Sequence, residues 1–160
     1  MDVDTYVDAS LANESFSSHE TLWATSEDGQ PVRETYLGFI NLFGSEGIFE
    51  PEQIKSASLA LTATDVERPG KVVAYLVQGA TLETLTWDER PKYESDTSAS
   101  ITVEEEGSYQ MDVRSLIQKA VEVCPEGCPY SIVLIAEGNA SVGFASSETA
   151  DGAPSLEYTT

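Results

Sequence analysis

Four side chains in this sequence have the chemistry to hold a sugar: Arg33, Trp87, Arg90 and Glu148. The CH groups of a pyranose pack well against an indole face, and guanidinium or carboxylate groups bind neighbouring hydroxyls in bidentate fashion. Each residue also has a structural interpretation, because Trp87 could close the edge of a sheet and the charged residues could form internal salt bridges. We carry both interpretations forward and predict a carbohydrate site at these four positions.

The sequence gives weaker support for a catalytic site than for a sugar-binding site. The carboxylate pairs at 104–106 and 50–52 lie in turn-like or loop-like segments, whereas a glycosidase needs one carboxyl group in an apolar pocket. A Ser-His-Asp site would have to use His19, the single histidine, which stands in a loop-like stretch with no nucleophile motif. We predict a protein without enzymatic activity.

Calcium is a candidate ligand, because hard oxygen ligands from Asp and Glu suit it. Asp2, Asp4 and Asp151 lie near the two termini, which can meet as neighbouring strands in a jelly roll. No EF-hand spacing is present, so a plain acidic surface is the alternative. We carry calcium forward as a candidate ligand of these three residues.

The two cysteines, Cys124 and Cys128, flank a Pro-Glu-Gly turn. We predict a local disulfide, and half of a metal site is the alternative that a single histidine and the lack of a second Cys pair disfavour. Disulfides persist in oxidising compartments. Glycosylation sequons at Asn13 and Asn139 agree with that setting, so we predict a secreted, extracellular protein.

Acidic residues dominate the composition, with 28 Asp and Glu against 8 Lys and Arg, and a net charge of −20. This charge repels nucleic acid and anionic membranes, because binding either requires basic groups that neutralise phosphates. No apolar run approaches the roughly 18 residues of a membrane span. The first residues also lack the pattern of a signal peptide, so we expect a segment whose targeting sequence has been removed.

Short apolar or alternating runs, bounded by Gly, Pro, Asn and Ser, are typical of an antiparallel β-sandwich. At 160 residues we expect a single domain, 1–160. The predicted strands are Val3 to Asp8, Glu20 to Thr25, Glu34 to Ile40, Ala57 to Thr64, Lys71 to Gln78, Ser100 to Glu105, Ser108 to Val113, Tyr130 to Glu137, Ser141 to Ser146 and Ser155 to Thr159.

Three segments carry more specific predictions. Residues 57–63 alternate with a period of two, so one face of that strand should be buried. Residues 71–77 and 131–136 are apolar on both faces, which predicts central strands covered on both sides. Helical spacing from Arg114 to Glu122 predicts one short helix, which Asp112 could cap.

The order of several motifs resembles the DNRLRE-domain family of extracellular β-sandwiches, which overlaps carbohydrate-binding module family 96. The motifs are Asp4-Thr-Tyr-Val7, Arg33-x-x-Tyr36-Leu37-x-Phe39, Ile54-x-x-Ala57-x-Leu59-x-Leu61, Thr86-Trp87-x-x-x-Pro91, Asp112-Val113-x-x-Leu116, Phe144-x-Ser146-x-Glu148 and Pro154-x-Leu156. The chain departs from the family pattern at Ser147, where the family often has Arg, and at 38–40. The resemblance implies a jelly-roll-like sandwich that binds carbohydrate.

Two functions follow. The first is a secreted, non-catalytic module that binds a polysaccharide or mediates adhesion at a cell surface or matrix. The second is a structural subunit of a filament, cell wall or surface layer that self-associates through exposed strand edges. Because so acidic a surface repels polyanions, we expect neutral polysaccharides, or acidic ones only when calcium is present.

Overall fold

The computed structural model describes residues 3–39, 43–125 and 127–160, which contain ten β-strands, one α-helix and four short 3₁₀ helices. The strands are β1 (Val3–Asp8), β2 (Thr21–Glu27), β3 (Gln30–Phe39), β4 (Ser56–Arg68), β5 (Gly70–Gln78), β6 (Glu94–Val103), β7 (Gly107–Asp112), β8 (Tyr130–Ala136), β9 (Ser141–Ala145) and β10 (Ser155–Thr159). The helix α1 spans Arg114–Val123.

The strands form two antiparallel layers joined along one side. One layer has the order β1-β3-β8-β5-β6, and the other runs from β2 through β9 to β4, with β7 and β10 also paired to β4. Strand β2 pairs with both β3 and β9, so the layers are continuous at that corner. The predicted all-β, antiparallel class is therefore confirmed.

The main core lies between the two layers. On β4, Leu59 and Leu61 are buried together with Ala57 and Ala63, which confirms the predicted period of two. Helix α1 buries one apolar face, formed by Leu116, Ile117, Ala120 and Val121, against the same core. Within the described residues, no helix has the length and apolar character needed to span a membrane.

A second apolar cluster covers the outer face of the β1-containing layer. It is formed by Val7, Tyr36, Val77, Leu85, Val133 and Ile135. Leu85 belongs to the segment 79–93, which we call the sheet-face loop. Because this loop covers β5 and β8 from outside while the core covers them from inside, the prediction that both strands are central and buried is confirmed.

One glycine sets how closely the sheet-face loop approaches the sheet. A Cβ atom added to Gly38 would lie 2.9 Å from Cβ of Thr81. Thr81 is buried and its hydroxyl donates to Oγ of Ser131 at 2.7 Å. The absence of a side chain at Gly38 therefore lets the loop dock directly on β3 and β8.

Several predicted boundaries were wrong. Strand β4 continues to Arg68 and β6 already begins at Glu94, because pairing with β9 and β5 extends both into polar sequence. The predicted end of β3 at Ile40 lies outside the described residues. The helix is preceded by Val113, although Asp112 Oδ1 accepts a hydrogen bond from the Arg114 N–H at 3.0 Å.

The terminal strands are not neighbours, contrary to the expectation behind the calcium prediction. Strand β1 pairs with β3, whereas β10 pairs with β4. Their different partners place the two strands in separate layers of the sandwich.

Candidate functional site

An open cleft lies on the outer face of the β1-containing layer, beside the sheet-face loop. Its volume is about 530 Å³, which falls within the range of ligand pockets. Its lining residues are Pro31, Glu34, Tyr36, Arg90, Pro91, Lys92, Tyr93 and Ser95. We call it the sheet-face cleft.

A buried carboxylate forms the polar centre of this cleft. Glu34 and Tyr36 alternate with core residues of β3 and therefore project outward together. The Glu34 side chain is only 5% exposed, and its carboxylate accepts hydrogen bonds from the Tyr36 hydroxyl at 3.0 Å and from Arg90 at 3.4 Å. Burial raises the pKa of the Tyr36 phenol, and the adjacent Glu34 charge raises it further, so the phenol remains a hydrogen-bond donor.

Arg90 is held above the sheet by Trp87. Its guanidinium lies 3.6 Å from the centroid of the indole ring, and its Nε donates to the Trp87 carbonyl oxygen at 3.0 Å. Trp87 is half-buried against the second apolar cluster. Since Arg90 covers one face of the indole, Trp87 supports the guanidinium and does not present that face to a sugar.

Tyrosine supplies the accessible aromatic surface. Tyr93 is 42% exposed and packs against Tyr75 with ring centroids 4.6 Å apart. Lys92, also exposed at the cleft, forms no salt bridge with any described residue. The cleft therefore combines an exposed ring, hydrogen-bond donors of two kinds and one buried acceptor.

Arg33 lies in a different place. Its cross-strand neighbour on β2 is Thr25, which in turn pairs with Ser141 of β9. Arg33 donates to Thr25 at 2.9 Å, to Ser141 at 3.3 Å and to Glu67 of β4 at 2.9 Å. We call this set of side chains, which crosses four strands, the polar row.

The polar row is closely bonded within itself. Ser141 donates to Glu67 at 2.7 Å, and its hydroxyl lies 2.9 Å from that of Thr25. The hydrogen bond from Ser141 is the main cause that lowers the pKa of Glu67; burial opposes it, and the hydrogen bond and charge of Arg33 lower the pKa further. The guanidinium of Arg33 also lies over Trp23, 4.3 Å from the ring centroid.

The structure therefore separates the four residues predicted to bind carbohydrate. Trp87 and Arg90 lie together at the sheet-face cleft, whereas Arg33 belongs to the polar row. Glu148 is exposed after the end of β9, where its N–H donates to the Ser146 hydroxyl at 3.1 Å, and it lines neither region.

Of the three predicted calcium ligands, the structure describes Asp4 and Asp151. Asp2 lies outside the described residues. Asp4 is buried and accepts hydrogen bonds from the Ser147 N–H at 2.7 Å and hydroxyl at 2.9 Å, whereas Asp151 is exposed. In the described part of the chain, no three His, Cys, Asp or Glu side chains are grouped to hold a metal ion.

The remaining predicted positions concern covalent chemistry. Cys124 and Cys128 form the expected disulfide, with an S–S distance of 2.04 Å. Asn13 and Asn139 are both exposed. The Asn139 side-chain oxygen accepts from the Asp28 N–H at 2.8 Å. Glycosylation at either asparagine stays a prediction.

Sequence reasoning missed Glu34, Lys92 and Tyr93 as cleft residues. The alternation on β3 contained a signal for Glu34, because it shares a face with Tyr36 and opposes Leu37 and Phe39. Lys92 and Tyr93 follow Pro91 in a loop, and their convergence depends on how that loop folds back. No local pattern identifies such a position.

The fold and the cleft together define an antiparallel β-sandwich with an aromatic and polar cleft on one sheet face. The sequence profile of carbohydrate-binding module family 96 matches residues 1–160, the whole chain. The chain therefore belongs to carbohydrate-binding module family 96, as the resemblance implied. No curated protein matches the chain.

Proposed function

We propose that the protein is a secreted, non-catalytic module that binds polysaccharide in the sheet-face cleft. The observation that carries the proposal is the convergence of the exposed Tyr93 ring with the Arg90 guanidinium and the buried Glu34 carboxylate. Stacking on an aromatic ring and paired hydrogen bonds to hydroxyls are the two interactions that sugar recognition needs. Family membership supports the same class of ligand.

In this proposal each residue has a distinct role. Tyr93 packs against a pyranose ring, while Arg90 and Lys92 donate to its hydroxyls. Glu34 accepts from hydroxyls and also fixes the guanidinium of Arg90. Because Glu34 and Arg90 are already in contact at 3.4 Å, the site is largely organised before ligand binds, which lowers the entropic cost of binding.

The charge of the ligand follows from the charge of the site. Glu34 compensates Arg90, so Lys92 is the one cation of the cleft lining that has no ion-pair partner among the described residues. A single such cation stands against a net charge of −20. Neutral polysaccharides should therefore bind best, and acidic ones only when calcium bridges the like charges.

The cleft also supports a non-catalytic role. Of the residues that line its described surface, only Glu34 has a carboxyl group. Hydrolysis of a glycosidic bond by the usual route requires two carboxyl groups, roughly 5 to 9.5 Å apart. The disulfide supports secretion, because such bonds persist in oxidising compartments.

Tyr93→Ala provides the direct test, measured by calorimetry against a panel of neutral polysaccharides and against alginate with and without calcium. We expect a neutral polysaccharide to bind the wild type and the variant to bind it at least about tenfold more weakly, or about 1.4 kcal/mol. Phe49→Ala is the matched control, because Phe49 is an exposed aromatic residue outside the cleft.

Three results would contradict the proposal. Equal loss of affinity in both variants would mean that the cleft is not the binding site. Tight binding of alginate without calcium would refute the preference for neutral ligands. Failure of every polysaccharide to bind the wild type would remove the proposed function itself.

A further inference from the structure

Strand β6 ends its layer and has an unpaired edge. It pairs with β5 on one side, and no described strand pairs with it on the other. The stretch 97–103 has no charged residue and no proline. Native proteins usually protect a long edge strand with charge, proline or a covering segment, and the first two protections are missing from this stretch.

The opposite edge of the same layer is protected. Strand β1 is also an edge strand of this layer, yet Thr5 and Val7 are 0% exposed. Phe16 stacks on Tyr6 with ring centroids 4.5 Å apart, and Ser147 bonds to Asp4. Segments from two other parts of the chain therefore cover β1. Helix α1 and β7 lie beside β6, and Lys119 of the helix is 3.6 Å from Asp96, yet Ser98, Ser100 and Thr102 on β6 are all exposed.

We propose that the β6 edge is an interaction surface for a second copy of this chain, which pairs antiparallel with it about Ser100. In this register Ser100 lies opposite Ser100 of the second copy, and Ser98 lies opposite Thr102. The whole charge-free stretch 97–103 then pairs with itself. Because the contact is the same on both copies, it closes after two chains and gives a dimer.

Charge favours this edge over the rest of the surface for a contact between two copies. Two molecules that each have a charge of −20 repel each other least where their surfaces lack acidic groups. In the proposed register, however, Asp96 faces Glu104 of the other copy, and Glu94 faces Glu106. Lys119 compensates Asp96 in part, at 3.6 Å. The dimer should therefore need salt or divalent cations that screen the ends of the pairing.

Sedimentation and cross-linking together test the proposal on the full chain. We expect a monomer at about 0.1 M NaCl and a dimer at about 2 M NaCl, where the screening length falls below about 3 Å. Ser100→Cys should form an intermolecular disulfide under mild oxidation at high salt, because directly opposed residues have the Cα separation that a disulfide requires. Thr64→Cys, exposed on β4, is the matched control and should not.

The acidic ends of the pairing provide a second, independent test. A variant with Glu104, Glu105 and Glu106 all changed to Gln should dimerise at lower salt, with a dissociation constant at least about tenfold lower at equal salt. The control changes Glu14, Glu20 and Glu27 to Gln, which removes the same charge from exposed sites on or near β2. Strand β2 is separated from β6 by β3, β8 and β5.

The outcomes that overturn the inference are specific. A protein that stays monomeric at about 2 M NaCl and in millimolar calcium has no such surface. A dimer that cross-links equally through both cysteine variants uses another surface. Equal dissociation constants for the two charge variants would refute the register about Ser100. None of these results bears on glycan binding, which uses the outer face of the sheet and not the free edge of β6.

Discussion

Two regions of this molecule are built from the same three residue types and differ in what they leave accessible. In the polar row, Arg33 lies over Trp23 and pairs with Glu67. At the sheet-face cleft, Arg90 lies over Trp87 and pairs with Glu34. In the polar row the Glu67 side chain is the more exposed partner: 47% of it is exposed, against 21% of the Arg33 side chain. At the sheet-face cleft the order is reversed, with 5% of the Glu34 side chain exposed and 36% of the Arg90 side chain.

This difference separates a structural arginine from one that can serve a ligand. Arg33 is on a strand, and its donors are directed to Thr25, Ser141 and Glu67 across the sheet. Arg90 is on a loop, with a carbonyl and one carboxylate as partners and an exposed tyrosine beside it. We infer that the arrangement of the neighbours, and not the residue types, decides the role.

A matched pair of lysine substitutions gives the largest expected contrast. Arg90→Lys keeps a cation near Glu34 but loses the planar guanidinium, so polysaccharide affinity should fall at least about tenfold. Arg33→Lys should leave affinity unchanged and lower the free energy of unfolding by about 1–2 kcal/mol, because it loses hydrogen bonds to the buried hydroxyls of Thr25 and Ser141. Calorimetry and urea denaturation measure the two effects.

The comparison breaks if the two variants behave alike. Loss of affinity in Arg33→Lys would make the polar row part of the ligand site. Unchanged affinity in Arg90→Lys, with the fold intact, would show that the guanidinium contributes nothing that a lysine cannot supply.

Two glycines extend the contrast to the backbone beneath each region. A Cβ atom on Gly38 would lie 2.9 Å from Thr81 of the sheet-face loop, and one on Gly143 would lie 2.6 Å from Thr21 and 3.2 Å from Trp23. Alanine at either site should destabilise the fold by about 1–3 kcal/mol through overpacking. Only Gly38→Ala should also weaken polysaccharide binding, because it displaces the loop that holds Arg90.

Thermal denaturation and binding of both glycine variants provide the measurement. If Gly143→Ala weakens binding as much as Gly38→Ala does, the cleft depends on general stability and not on the docking of the loop. If Gly38→Ala binds as well as the wild type, the loop does not position the ligand contacts.

The sequence was a good guide to the strands and a poor one to the site. Alternation on β4 and the apolar stretches of β5 and β8 are local patterns, and they predicted burial correctly. Proximity of Cys124 and Cys128 also depends on a single turn. Each of these features is determined by residues close in the chain.

The site depends on contacts that no local pattern encodes. Arg90 and Glu34 are 56 positions apart in the sequence, and Arg33 and Ser141 are 108 apart. The sequence identified Arg33, Arg90 and Trp87 as candidates by type, but adjacent residues of one strand project to opposite faces. Arg33 and Glu34 therefore belong to different regions, and only the register of β3 with its neighbours shows to which region each residue belongs.

The smallest expected effect concerns the ion pair of the polar row and depends on pH. The pKa of Glu67 is lowered, chiefly by the Ser141 hydrogen bond. The stabilisation that ionised Glu67 gives to the fold is therefore fully present above its unfolded pKa of about 4.5, and it is lost as the pH falls through the pKa of Glu67 in the folded protein.

Glu67→Gln should therefore reduce the unfolding free energy near pH 7, by at most about 1 kcal/mol for so exposed a pair. At a pH low enough to protonate Glu67 in the folded protein, the variant and the wild type should converge, since protonated Glu67 resembles Gln. Glu27→Gln, exposed beside the same row, is the control. In urea denaturation it should have the same unfolding free energy as the wild type at both pH values. A difference between wild type and Glu67→Gln that persists unchanged at low pH would mean that the ionised carboxylate of Glu67 is not the source of the stabilisation.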